Sequence, residues 1–221
     1  MVTFDLNSEP FVELGLLRLS GEAFAPPQGF AQGMDEVVHV LIHRRTSTFG
    51  YGHMVSGERL IFTGRSDADR FSYDGLNAWL DECRFLAYSP GVGTWTTAVV
   101  HVFPDRPGRL DLYDEEILER DAQGNWPPGG QPAGGAQTWA QQLLAFPRLL
   151  NNIPGSMLEI LRTEGVTPPP IYNPEFTSVD WNNRRRPVTE RGTDFTVEPT
   201  VIDPSLEPGV FAKISKKLFG A

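Results

Sequence analysis

Apolar and polar positions follow two different periods in the first half of the chain. In Ser72-Tyr-Asp-Gly-Leu-Asn-Ala-Trp-Leu-Asp-Glu-Cys-Arg-Phe-Leu-Ala87, residues Leu76, Trp79, Leu80, Cys83 and Leu86 recur at helical spacing. That stripe predicts a helix over 74–87, with Ser72 or Asp74 as its cap. After the loop-forming Pro90-Gly-Val-Gly93, the run Trp95-Thr-Thr-Ala-Val-Val-His-Val-Phe103 is rich in β-branched and aromatic residues, and Arg109-Leu-Asp-Leu-Tyr113 alternates polar with apolar. With Asp105-Arg-Pro-Gly108 as the turn between them, they predict a hairpin. Glu36-Val-Val-His-Val-Leu-Ile-His-Arg-Arg45 is apolar almost throughout and predicts a central strand buried on both faces. Ser56-Gly57-Glu58 turns the chain into a further strand, Arg59-Leu-Ile-Phe-Thr63, while residues 46–54 continue the central strand or pair beside it. Phe11-Val-Glu-Leu-Gly-Leu-Leu-Arg-Leu19 fits neither period and stays open between strand and short helix.

The fold class expected from these elements is α+β: a mostly antiparallel sheet of four to five strands packed against helices, followed by a Pro-rich, partly helical C-terminal part. Residues 1–120 form the expected acidic α+β domain, and residues 121–136, dense in Gly and Pro, the expected linker. Residues 137–221 complete the chain as a helical and extended part packing on the first. Within it, helices are expected over 138–150, interrupted or ended near Pro147, over 154–163 and over 208–219, and an extended surface segment over 166–208, pinned by Tyr172, Phe176, Trp181 and Phe195.

Charge sharpens this division. Residues 1–125 carry 19 acidic and 10 basic residues and residues 126–221 carry nine of each, so the net charge of −9 belongs wholly to the first part. A negative field of this kind repels nucleic acid and anionic lipid and speeds encounter with a basic protein. No apolar run reaches the length of a membrane span, and Met1-Val-Thr-Phe-Asp5 lacks the basic start and apolar run of a signal peptide. A cytoplasmic protein is expected, and the single cysteine agrees with a reducing compartment.

Candidate chemistry is sparse. His39 and His43 share a strand face but stand roughly 13 Å apart at the usual rise per residue, too far for one metal ion. A cross-strand site with His53 or His101 stays open on sequence grounds. Cys83 falls in the helix stripe and is expected as a core residue, so neither metal nor cofactor is expected. Arg184-Arg-Arg186 is the one dense basic run, and internal pairing with acids of the first part is expected for it. Asp111, Asp114, Glu115, Glu116, Glu119 and Asp121 place six acids in eleven residues at the end of the hairpin. Such a run is either a solvated face or a docking surface for a cationic protein.

The order of elements in residues 72–116, a helix, a glycine-containing break, the strand opening Trp95-Thr-Thr-Ala-Val-Val and then Gly108-Arg-Leu-Asp-Leu-Tyr-Asp-Glu-Glu116, resembles the closing helix and hairpin of the YezG-like bacterial immunity proteins. The resemblance covers about a fifth of the chain and implies an antitoxin-type protein that neutralises a cognate toxin by direct binding, with no catalysis and no cofactor. Joined with the charge pattern, it gives an expected partner, a basic toxin protein, and an expected contact surface of Asp111, Tyr113, Asp114, Glu115, Glu116, Glu119 and Trp126. Two other classes remain open. A secretion or assembly adaptor would show an exposed apolar groove, and an enzyme with a nonstandard site would bring Asp111, His101 and His39 together in a pocket.

Overall fold

The computed structural model describes residues 3–27, 29–43, 48–64, 76–114, 134–181 and 184–193. The chain divides into two units: Met1–Tyr88 with Thr94–Ala133, and Ser89–Gly93 with Gly134–Ala221. The fold is α+β.

The first unit contains β1 (Thr3–Phe4), α1 (Pro10–Phe24), β2 (Glu36–His43), β3 (Thr48–Ser56), β4 (Arg59–Gly64), α2 (Leu76–Ala87), β5 (Thr97–Val102) and β6 (Arg109–Tyr113). The strands form one six-stranded sheet in the order β1-β6-β5-β2-β3-β4, with every pairing antiparallel. The expected four strands therefore share one sheet, and two more join it because residues 48–56 pair as a strand of their own and Thr3–Phe4 adds to the β6 edge. β2 sits in the middle, which explains its apolar run: from Val37 to His43 every residue is buried. The chain leaves β4 at one edge and re-enters beyond β2 as β5, and α2 lies on this crossover.

One sheet face carries the core. Val37, Leu41, Ala98, Val100, Val102, Leu110 and Leu112 pack with Val12, Leu16, Leu19 and Ala23 of α1 and with Leu76, Trp79, Leu80 and Cys83 of α2. The described part of the second helix begins at Leu76, so Ser72 and Asp74 as caps lie outside the described residues. Gly15 sets the distance between the helices: a Cβ there would overlap the Trp79 indole, whose Nε1 donates to the Phe11 carbonyl at 3.4 Å. A glycine in a helix interior costs about 1 kcal/mol relative to alanine, and here that loss admits a large aromatic ring to the core.

The open assignment at residues 11–19 resolves as helix. α1 buries Val12, Gly15, Leu16, Leu19 and Ala23 on one side, yet Phe11, Leu14 and Leu17 stand 41%, 67% and 68% exposed on the other. Apolar residues on both faces erase the 3.6-residue contrast on which a sequence assignment depends.

The second unit contains α3 (Ala136–Ala145), a 3-10 turn (Leu150–Asn152), α4 (Gly155–Thr163), and strands β7 (Ile171–Asn173), β8 (Ser178–Trp181), β9 (Arg184–Thr189) and β10 (Gly192–Thr193). Those strands form an antiparallel meander, β10-β9-β8-β7. The expected extended surface segment is corrected over these residues: 171–193 is a small sheet. Trp181 is buried, donating its Nε1 proton to the Pro168 carbonyl at 3.2 Å, whereas Phe176 is 50% exposed under the Arg185 guanidinium. Phe195 and the expected helix over 208–219 lie outside the described residues.

Loop Ser89–Gly93 is stitched into this unit by backbone bonds: Gly91 N–H to the Pro147 carbonyl at 3.2 Å and Leu149 N–H to the Gly91 carbonyl at 2.8 Å. The Asn152 side-chain amide adds a third bond, donating to the Gly91 carbonyl at 2.8 Å. Gly93, at φ +96°, leaves no room for a Cβ beside the buried Arg148 side chain. Arg148 in turn donates to the Asn152 carbonyl at 3.0 Å.

Candidate functional site

Strand alternation decides where the expected contact residues point. Val99 pairs with Asp111, His101 with Arg109 and Thr97 with Tyr113, so these six share the face opposite the helices. There Asp111 is engaged within its own sheet. Its carboxylate accepts from the Arg109 guanidinium at 2.9 Å and lies 3.4 Å from His101 Nε2, while His101 Nδ1 meets Glu36 Oε1 at 2.7 Å. Arg109 Nη2 is also 3.3 Å from His101 Nε2, so one ring nitrogen faces Glu36 and the other the Arg109–Asp111 pair. This chain of two carboxylates, an imidazole and a guanidinium ties the ends of β2, β5 and β6 together.

Tyr113 is half-buried on the same face, between Thr97 and Thr3 on the flanking strands. Asp114 corrects the expectation of a uniformly exposed acidic strand end: it is 4% exposed, and its carbonyl accepts from the Thr96 hydroxyl at 3.2 Å. A residue so buried does not present its carboxylate to a partner. Glu115, Glu116, Glu119 and Trp126 lie outside the described residues.

His39, His101 and Asp111 do not converge in one pocket. His39 pairs with Val100 and so points to the helix face, away from His101 and Asp111. Burial lowers the pKa of His39 to about 3 and that of His43 to about 4. On His43 the Arg84 charge adds to burial and outweighs the bond from Nε2 to Asp81 at 2.9 Å. His43 also stacks on Trp95 at 5.7 Å, and Arg84 lies over the same indole at 5.2 Å. Cys83 is fully buried and its thiol is pushed up to about 12, first by burial and then by Glu82, so the thiolate needed of a nucleophile is suppressed. Among the described residues no group of three or more His, Cys, Asp and Glu is placed to hold a metal ion. No described helix is long and apolar enough to cross a membrane. Within the basic run, Arg185 reaches Asp180 of the second unit at 2.9 and 3.1 Å, where an acid of the first part was expected.

A surface that the charge pattern did not single out lies on α1. Phe11, Leu14 and Leu17 are exposed within seven residues of one helix. Isolated exposed leucines are ordinary, but clustering along one helix face is the signature of a covered surface. Beside this stripe is a groove of about 440 Å³, between Leu16, Leu17 and Ser20 on the helix and the turn Phe103–Gly108 of the hairpin. Gly108 permits the close approach, because a Cβ there would lie 2.8 Å from the His101 carbonyl oxygen and 3.2 Å from Leu16 Cβ. The Ser20 hydroxyl pins the helix by donating to the Phe103 carbonyl at 2.7 Å. Glu13 and Asp105 line the groove, Glu9 stands exposed one helical turn before Glu13, and the Arg106 guanidinium is laid 3.8 Å above the Phe103 ring. The signal for this site was present in the sequence as the run of apolar residues from Phe11 to Leu19 that satisfied no single period.

In comparisons with family models, curated proteins and solved structures, nothing matches the chain.

Proposed function

We propose that this chain is a cytoplasmic immunity-type protein that neutralises a basic protein toxin by binding it, using no chemistry of its own. The observation that carries the reading is the exposed apolar stripe of α1, Leu14 and Leu17 at 67% and 68%, with the exposed acids Glu13 on the helix, Glu9 just before it and Asp105 in the neighbouring hairpin turn, in the part of the chain that holds all of the net charge of −9. Apolar anchors supply affinity when they are desolvated, and a surrounding field of one sign supplies rate and choice of partner. The resemblance of residues 72–116 to YezG-like immunity proteins and the inert Cys83 agree with it.

The test is protection. A basic protein encoded beside this gene should be toxic when expressed alone and tolerated when the chain is co-expressed, and the two proteins should form a complex whose association slows as salt rises. Reversal of Glu115 and Glu116 to Lys should slow association further, and Asp114 is left out of that reversal because it is buried. Absence of both protection and binding would reject the reading. The apolar groove also favours a second one, an adaptor or chaperone that holds a partner for secretion or assembly. The two separate on the bound partner's activity, which an immunity protein abolishes and an adaptor preserves.

A further inference from the structure

We infer that the groove between α1 and the Phe103–Gly108 turn is a recognition slot for an amphipathic helix of the partner, one that inserts leucine-like anchors beside Leu14 and Leu17 and carries lysines or arginines on its flanks. The inference rests on the binding reading above and specifies its contact. Three features select this occupant. First, the apolar stripe follows the helix axis: Phe11 to Leu17 covers roughly 9 Å at the rise of an α-helix, a length that about two turns of a second helix match. Second, the stripe is bounded by surfaces that allow close approach, since Pro10 and Gly21 are both exposed and a Cβ at Gly21 would meet nothing within 4 Å. Third, the flanking charges are acidic. Glu9, Glu13 and Asp105 are exposed around the slot, whereas Arg18, one turn after Leu14, is bonded to Glu22 at 3.2 Å and Arg106 lies across Phe103. An anionic or purely apolar partner would leave those carboxylates desolvated without compensation, so a cationic flank is the chemistry that fits.

The test uses the full chain and two synthetic helical peptides of equal leucine content, one with lysine flanks and one with glutamate flanks. The Leu/Lys peptide should bind, with amide shifts concentrated in residues 10–21 and 103–108, and the Leu/Glu peptide should not. Leu17→Asp and, as an independent variant, Leu14→Asp should each weaken binding by about tenfold or more, as expected of central apolar anchors, while Leu150→Asp in the other unit leaves it unchanged. Both leucines face solvent, so far-UV circular dichroism should show these variants folded. Equal affinity for the two peptides, or affinity that survives both Leu14→Asp and Leu17→Asp, overturns the slot. Protection from the neighbouring toxin separates the two levels of inference. If the parent chain and Leu17→Asp protect equally, the slot is wrong and the immunity reading stands. If the chain binds the Leu/Lys peptide as described but gives no protection, the slot stands and the immunity reading is wrong.

Discussion

Replacing Gly15 by Ala sets two effects of opposite sign against each other. In a helix interior alanine is favoured over glycine by about 1 kcal/mol, so on propensity alone Gly15→Ala should stabilise α1. The structure places the Trp79 indole where the new Cβ would go, and Trp79 is only 5% exposed. Forcing a methyl into a packed core costs about 1–3 kcal/mol, and displacing the ring also stretches the bond from Nε1 to the Phe11 carbonyl, worth about 0.5–1 kcal/mol. The net expectation is destabilisation by about 0.5–3 kcal/mol, with the packing and hydrogen-bond costs outweighing propensity. Urea denaturation followed by circular dichroism measures it, and the same substitution in a Trp79→Leu background supplies the control. With the indole gone, Gly15→Ala should change sign and stabilise by up to about 1 kcal/mol. A variant that is more stable than the parent chain in the unaltered background would refute the close approach of α1 and α2.

Two further outcomes follow from groups already described. His39 and His43 have folded pKa values lowered to about 3 and about 4, against about 6.5 in the unfolded chain. The unfolded state therefore binds the extra protons as pH falls below about 6.5, so their contribution to stability is complete above that pH and is lost towards pH 4 and below. The urea midpoint should already drop between pH 6.5 and 5, and a flat midpoint over that interval would contradict the buried neutral imidazoles. Gly93→Ala should cost at least about 2 kcal/mol, since a left-handed residue with a Cβ is strained by about 1–2 kcal/mol and the methyl also strikes Arg148. Gly57→Ala, at φ +57° with open space around it, carries the backbone cost alone; denaturation that ranks the two equally would show that Arg148 does not fill the space beside Gly93.

Legibility in the sequence tracked the contrast between neighbouring positions. β2 and the β5–β6 hairpin were readable because burial of Val37–His43 and alternation at Arg109–Tyr113 write their periods directly into residue type. α1 was not, because Phe11, Leu14 and Leu17 are apolar for a reason other than the core. The small sheet over 171–193 was hidden by its own dimensions: its strands run from two to six residues, and Pro187, which lacks an N–H to donate, sits within one of them. The candidate contact residues were readable as a charged run but not as a surface. Nothing in the composition of Asp111–Glu116 says that Asp111 is committed to Arg109 and His101, or that Asp114 is buried. Burial and pairing of a charge depend on what a distant strand brings beside it, here Thr96, His101 and Glu36.

The loop Ser89–Gly93 gives the chain an order of assembly. It is made between α2 and β5, but its backbone partners Pro147 and Leu149 and the side chain of Asn152 come much later, Asn152 standing 61 residues after Gly91. At ribosomal rates of about 5–20 residues per second the nascent loop waits some 3–12 seconds for them. No single cut separates the two units, because the second owns five residues inside the span of the first. A ribosome stalled near residue 133 would hold the complete run of strands β1 to β6 with an unpaired Gly91 between α2 and β5. Release of the loop from that state is an event that a protease added during translation would report.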